Sequence, residues 1–315
     1  MTRHRNLPRP DGPLFLTDSG LETTLVFHEG FDLPCFAAYP LLGTSEGRAA
    51  LRRYFRRHLA IAADRGMGFV LEAPTWRASR AWGDRLGHGP YEVAAFNCEA
   101  IAMLTDLRGE AGGAGPVVVS GNVGPRGDGY RSDAAMTADE AQAYHAEQIG
   151  WLARTDADLV TAMTLSTVAE GVGVIRAAAT AGMPVVVSYT VETDGRLPDG
   201  TPLGRAVEET DDRTDGAAAY LMVNCAHPDH FRPALEAGDA WLGRIGGVRA
   251  NASRLSHAEL DEASVLDDGD PEELGRDYDA LRRLLPNLRV LGGCCGTDHR
   301  HVAAMAGCCR PRAAA

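Results

Sequence analysis

The sequence contains no lysine, because all 31 of its basic residues are arginine. Lysine aldolases and pyridoxal enzymes form a Schiff base through a lysine amine. The phosphate-binding loop of P-loop nucleotidases also needs a lysine. The sequence therefore excludes these classes of mechanism.

Long apolar runs and a secretion signal are also missing. No stretch approaches the roughly 20 apolar residues of a membrane span, and the charged N-terminus leads into prolines without the apolar segment of a signal peptide. A net charge of −12 argues against nucleic acid or an anionic membrane as partner. Seven cysteines in such a chain indicate a reducing compartment, where they more often bind metal or act in catalysis than form disulfides. We therefore expect a cytoplasmic protein; its oligomeric state cannot be deduced from the sequence.

What the sequence does contain is a regular alternation of short apolar runs and helical patterns. Eight runs predict strands, at residues 14–17, 69–71, 117–120, 159–162, 185–189, 221–223, 245–248 and 290–291. No run is followed by a G-x-G-x-x-G turn, which argues against the alternative of a doubly wound open sheet. Eight βα units predict a single closed (β/α)8 barrel of the TIM type. We expect one domain over residues 1–315, with flexible tails at 1–12 and 306–315.

Two adjacent cysteines follow the last predicted strand. Neighbouring cysteines cannot readily bond to each other, so Cys294 and Cys295 are expected to face one shared site. Cys225 follows the sixth strand, and a barrel brings the carboxyl ends of its strands to one rim. Three thiolates with an open fourth position are typical of a catalytic zinc site. The alternative is a structural or storage zinc whose fourth ligand is His227 or His299.

The other cysteines are interpreted differently. Cys35 and Cys98 are isolated in the sequence and are read as structural residues. Cys308 and Cys309 lie in an arginine-rich C-terminal segment and are expected to be a free, partly exposed pair.

The chemistry of a three-thiolate zinc site narrows the function. Three thiolates leave the metal electron-rich and a weak activator of water, but well suited to holding a substrate thiol as a nucleophilic thiolate. That property favours alkyl transfer to sulfur.

These motifs resemble those of the homocysteine S-methyltransferases. Gly-Gly-Cys-Cys-Gly-Thr at 292–297 is similar to the signature of that family, and Asn224-Cys225 to its upstream zinc motif. Asp-Ser-Gly-Leu-Glu-Thr at 18–23 and Gly-Asn-Val-Gly-Pro at 121–125 resemble its first and third strand ends. The resemblance implies a (β/α)8 barrel with Zn²⁺ on Cys225, Cys294 and Cys295, and a methyltransferase that converts homocysteine into methionine.

The resemblance also implies substrate contacts. Asp18 would hold the ammonium group of homocysteine, and the backbone N–H groups around Ser19–Leu21, among them those of Ser19 and Gly20, would hold its carboxylate. The methyl donor would be a sulfonium or quaternary ammonium compound, such as S-methylmethionine, S-adenosylmethionine or betaine. Its methyl group would pass to the thiolate in one displacement.

The sequence departs from the family in two places. Met163 stands where the family usually has a glutamate on the fourth strand, so we expect Glu72 to replace that charge. The alternative for Glu72 is a carboxylate bonded to nearby backbone amides. Phe36 stands where the family has a tryptophan on the donor side, and its ring can still attract a methylated cation. Trp76 and Trp82 are further candidates, for which simple packing is the favoured interpretation. Because Met163 cannot bind an ammonium group, a thiol other than homocysteine is the alternative acceptor.

Overall fold

The computed structural model describes residues 6–113, 115–132 and 135–309. In this part of the chain, eight parallel strands pair in sequence order, and the first pairs with the last. The prediction of a closed (β/α)8 barrel is therefore confirmed.

Each observed strand overlaps the run that predicted it. The strands are β1 (Phe15–Thr17), β2 (Gly68–Glu72), β3 (Val117–Val123), β4 (Leu159–Leu165), β5 (Val185–Tyr189), β6 (Tyr220–Asn224), β7 (Ile245–Ala250) and β8 (Val290–Gly293). Several strands continue beyond the predicted run at their carboxyl ends, which carries polar residues into the sheet.

Helices accompany the strands, and most of them cover the outside of the barrel. They are α1 (Leu21–Thr23), α2 (Ser45–Asp64), α3 (Arg80–Leu86), α4 (Pro90–Glu110), α5 (Ala138–Leu152), α6 (Val168–Thr180), α7 (Leu203–Thr214), α8 (Pro228–Glu236), α9 (His257–Glu262), α10 (Pro271–Leu284) and α11 (His299–Cys308). Local chemistry sets several of their starts. The Thr137 side chain accepts from Glu140 N in a capping box, which fixes the start of α5. The Asp270 side chain accepts from the N–H groups of the first turn of α10, where Pro271 has no N–H that would need an acceptor.

Two apolar layers hold the barrel together. The outer layer lies between the strands and the helices. The inner layer fills the barrel and consists of Phe15, Val70, Val118, Leu159, Met163, Val186, Tyr220, Met222 and Val290. The inner layer closes the barrel from within, so a ligand can enter only at the rim.

The prediction of a flexible C-terminal tail is wrong for residues 306–309. Helix α11 continues to Cys308, and Cys309 is fully buried in the outer layer with Met305. Cys309 is thus part of the core, whereas Cys308 is half-buried. Residues 1–5 and 310–315 of the expected tails lie outside the described residues, and Leu7 packs against the inner layer. No helix among the described residues is long and apolar enough to cross a bilayer.

Candidate active site

A cavity of about 400 Å³ opens at the carboxyl ends of the strands. All of the residues predicted for the site line it: Asp18, Ser19, Gly20, Phe36, Glu72, Cys225, Cys294 and Cys295. Met163 also lines the cavity. Functional residues of such barrels gather at the carboxyl ends of the strands, and this rule correctly predicted that these residues share one cavity.

The three cysteine sulfurs lie within 4.8 Å of one another. Cys225 and Cys294 form a disulfide, and the sulfur of Cys295 lies 3.9 Å from that of Cys225. No histidine or carboxylate of the described residues joins this cluster. His227 instead caps α8 by accepting from Asp229 N, and neither His227 nor His299 lines the cavity. The donor set fits a soft metal once the disulfide is reduced.

Backbone geometry brings these sulfurs together. Cys225 adopts a left-handed conformation with φ of 55°, as does Thr164 with φ of 63°. Such values are costly for residues with a side chain and are often found at functional sites. On β8, a Cβ at Gly292 would lie 2.8 Å from the carbonyl oxygen of Asp18. Glycine is therefore needed for the cysteine-bearing strand to approach the end of β1.

Arg249 joins the two sides of the β1–β8 junction. Its guanidinium donates to the carbonyl oxygens of Gly293 and Ser19, both at 2.9 Å, and lies 3.1 Å from Asp18 Oδ1. Tyr54 donates its hydroxyl to the other carboxylate oxygen at 3.1 Å. The Thr17 hydroxyl also donates to Asp18 Oδ1 at 3.1 Å, so Asp18 faces the cavity with three protein partners already in place. The sequence interpretation missed Arg249 because it ended the strand at Val248.

The predicted role of the first-loop backbone in binding a carboxylate needs correction at Ser19 and Gly20. Ser19 N donates to the Tyr54 hydroxyl at 3.1 Å, and Gly20 N donates to the Thr297 side chain at 3.1 Å. The Ser19 hydroxyl bonds to His58 Nε2 at 2.9 Å, within the protein. These two N–H groups already have partners and are not free to hold a substrate carboxylate.

Two glutamates in the cavity have perturbed acidity. Burial raises the pKa of Glu72 to about 7, and its Oε2 has no hydrogen-bond partner. Burial also raises the pKa of Glu22 to about 7, and the nearby Asp18 carboxylate acts in the same direction. The interpretation of Glu72 as a carboxylate bonded to backbone amides is not supported: the groups that lower its pKa against the effect of burial are the Arg249 guanidinium and the Ser120 and Thr161 side chains, not backbone amides.

The aromatic candidates separate into two groups. Phe36 lines the cavity, and 36% of its surface is exposed. Trp82 is buried, donates to Pro125 O and does not line the cavity, so packing is the correct interpretation for it. Trp76 reaches the cavity wall and donates to Met163 O at 3.3 Å.

Tyr130 is a site residue that the sequence interpretation missed. Its hydroxyl lies 3.6 Å from the sulfurs of both Cys225 and Cys295. Its ring stacks on His257 at a centroid distance of 4.0 Å, and His257 bonds to the carbonyl oxygen of Cys225. The glycine-rich loop after β3 was the available signal, because it follows a strand at the functional rim.

Comparisons with known proteins agree with this fold and assign the chain to a family. The family model described as homocysteine S-methyltransferase matches residues 15–309. Among solved structures, the chain is similar to the homocysteine methyltransferase MmuM from Escherichia coli in its metallated form, with a TM-score of 0.73 and 20% identity over 94% of this chain and 96% of that one. The oxidized form gives a TM-score of 0.72 and 21% identity over 94% and 96% of the two chains. The apo form gives 0.67 and 19% over 95% and 97%. At these identities the likeness shows a shared fold. A search of curated proteins gave no match.

Proposed function

Because the chain belongs to the homocysteine S-methyltransferase family and is a methyltransferase, we propose that it moves a methyl group from a sulfonium or ammonium donor to the thiol of homocysteine, giving methionine. We propose Zn²⁺ as the cofactor and Cys225, Cys294 and Cys295 as its ligands. One observation carries the proposal: three cysteine sulfurs converge within 4.8 Å at the wall of the cavity. No other histidine, cysteine or carboxylate of the described residues joins them, which supports a site with room for a substrate thiol.

The surroundings of the three sulfurs support a metal site. Zinc bound there would lower the pKa of a substrate thiol and leave its sulfur nucleophilic. Asn224 Nδ2 lies 3.9 Å from the sulfur of Cys294, while the Tyr130 hydroxyl approaches the other two sulfurs. Such donors orient the ligands and share their negative charge. Asn224 is itself fixed by Thr164 and by Ser188.

The cavity offers different groups to the methyl acceptor and to the methyl donor. Asp18 supplies a carboxylate for the ammonium group of the acceptor, and Glu72 supplies a second one for the ammonium group of an amino-acid substrate. The exposed ring of Phe36 offers an aromatic face to the methylated cation of the donor. The sulfur lone pair of the acceptor forms the new S–CH₃ bond, while the donor's bond to that methyl breaks and its electron pair stays on the donor's sulfur or nitrogen. The donor leaves as a neutral sulfide or amine.

A donor panel tests this function. Reduced, zinc-loaded protein is incubated with homocysteine and S-methylmethionine, S-adenosylmethionine or betaine, and methionine is measured. We expect methionine from at least one donor. Methionine from none of the three would contradict the proposal.

A cysteine substitution tests the role of the sulfur cluster. Cys294→Ala removes one of the proposed ligands, so zinc content and methyl transfer should both fall to background. Cys98→Ala is the matched control, because Cys98 is free and exposed outside the cavity. Full activity in Cys294→Ala would refute the mechanism.

A different thiol acceptor is the second candidate. The observation that favours it is the apolar side chain of Met163, which lines the cavity and belongs to the inner barrel layer. Turnover of homocysteine is compared with that of 4-sulfanylbutanoate, which lacks the amino group. Faster turnover of the amino-free thiol would identify homocysteine as the wrong acceptor.

A further inference from the structure

Arg77 is a buried cation at the edge of the cavity. Only 7% of its surface is exposed, and it lines the cavity just after β2. Its guanidinium lies between two indole rings, 3.9 Å from the centroid of Trp76 and 3.7 Å from that of Trp82. One nitrogen, Nη1, donates to Gly127 O at 2.9 Å. The rings therefore fix the plane of the guanidinium without neutralising its charge.

Part of the Arg77 guanidinium lacks a partner. Its Nε is buried without a hydrogen bond, and no carboxylate of the described residues forms an ion pair with it. Burial lowers the pKa of Arg77 to about 10, although Asp128 and Glu22 act in the opposite direction, so the group stays charged at neutral pH. An unpaired buried donor costs on the order of 1–3 kcal/mol. A bound anion would remove this cost.

Two unpaired acceptors line the same cavity. The Oε2 of Glu72 and the Oδ1 of Asn122 are buried without hydrogen-bond partners. Together with the Nε of Arg77, they offer one cationic donor and two acceptors from the ends of β2 and β3. This combination is complementary to a zwitterion, whose carboxylate needs a donor and whose ammonium needs acceptors.

Several other candidate donors for a carboxylate are already occupied. Arg249 lines the cavity, but its guanidinium is bound to Asp18 and to the carbonyl oxygens of Gly293 and Ser19. The N–H groups of Ser19 and Gly20 are bound within the protein. Arg77 is thus the cavity arginine whose guanidinium retains an unused N–H.

We propose that Arg77 binds the α-carboxylate of an amino-acid substrate, with Glu72 and Asn122 accepting from its ammonium group. The inference rests on the proposed methyl transfer and names the class of its substrate. Both homocysteine and S-methylmethionine carry this zwitterionic group, so the experiment must identify which of them Arg77 holds.

The experiment compares each substrate with its decarboxylated analogue. The acceptor pair is homocysteine and 3-aminopropane-1-thiol; the donor pair is S-methylmethionine and (3-aminopropyl)dimethylsulfonium. Arg77→Gln should lower kcat/KM roughly 10- to 100-fold for the carboxylate-bearing member of one pair, because charged hydrogen bonds contribute about 1.5–3 kcal/mol. The decarboxylated member should change much less. The affected pair identifies the substrate that Arg77 holds.

Two further variants distinguish a selective loss of carboxylate binding from a general loss of structure. Arg77→Lys keeps the charge and much of the packing but loses the planar guanidinium, so it should show a smaller selective loss. Arg85→Gln is the matched control, because Arg85 also lies over Trp82, at 4.4 Å, but is exposed and does not line the cavity. It should leave the ratio within each pair unchanged.

Calorimetric titration of the zinc-loaded protein gives a readout that needs no turnover. Selective loss of carboxylate binding in Arg77→Gln would support the inference even if no methyl transfer were found, in which case only the proposed function would fail. If Arg77→Gln changed the binding of the carboxylate-bearing and the decarboxylated member equally in both pairs, or changed neither, the proposed role of Arg77 would be overturned.

Discussion

At the scale of single residues, the buried carboxyl group of Glu72 lowers the free energy of unfolding as the pH rises. Burial raises its pKa from 4.5 to about 7, and its Oε2 has no partner. Between these pH values the unfolded chain gives up the proton while the folded protein keeps it. The free energy of unfolding therefore falls as pH rises through this window and does not recover above it.

Glu72→Gln should stabilise the protein at pH 8 but not at pH 4. The gain is at most about 3 kcal/mol, since each pKa unit corresponds to about 1.4 kcal/mol. Urea unfolding at the two pH values measures it. Glu99→Gln is the control, because Glu99 lies exposed on α4. Equal effects of Glu72→Gln at both pH values would show that ionisation of Glu72 is not the cause.

At the scale of elements, the junction between β1, β7 and β8 depends on one buried ion pair. Arg249 on β7 reaches the ends of both neighbouring segments and contacts Asp18 at 3.1 Å. A buried pair of this kind adds little net stability, but the loss of one partner leaves a charge without compensation.

Arg249→Met should therefore lower the free energy of unfolding by about 3–5 kcal/mol. The double variant Arg249→Met/Asp18→Asn should recover part of that loss, because the unpaired carboxylate is removed with its partner. Arg213→Met, which breaks an exposed pair with Glu209 on α7, should cost less than about 1 kcal/mol. A double variant as unstable as the sum of its two single variants would argue against this coupling.

At the scale of the whole molecule, barrel closure assembles the sulfur cluster. Cys225 and Cys294 are 69 residues apart in sequence and come together only because β6 and β8 flank β7. A metal that binds this cluster would bind the folded state in preference to the unfolded chain.

Zinc should therefore stabilise the reduced protein globally. At a free zinc concentration 100 times Kd, the expected gain is about 2.7 kcal/mol, visible as a higher midpoint of thermal unfolding. Cys225→Ser should lose most of this gain, whereas Cys98→Ser should keep it. An equal shift in both variants would place the stabilising zinc elsewhere.

The sequence predicted the barrel well because its parallel strands are buried on both faces and read as apolar runs. Strand ends then located Asp18, Glu72 and the three cysteines. The predictions that failed concerned groups whose contacts are distant in sequence. Tyr54 and Thr297 occupy the N–H groups assigned to substrate, and these bonds span 35 and 277 residues. Arg77, Tyr130 and Arg249 were missed because a loop or strand-end residue shows its direction only in the folded barrel.

The central claim is that three cysteines form a zinc site with room for a substrate thiol. X-ray absorption at the zinc edge tests it most directly, because it counts sulfur neighbours of the metal. For the reduced, zinc-loaded protein we predict three sulfurs per zinc without substrate and four after homocysteine is added. A spectrum that homocysteine leaves unchanged, or one with fewer than three sulfurs at the start, would contradict the claim.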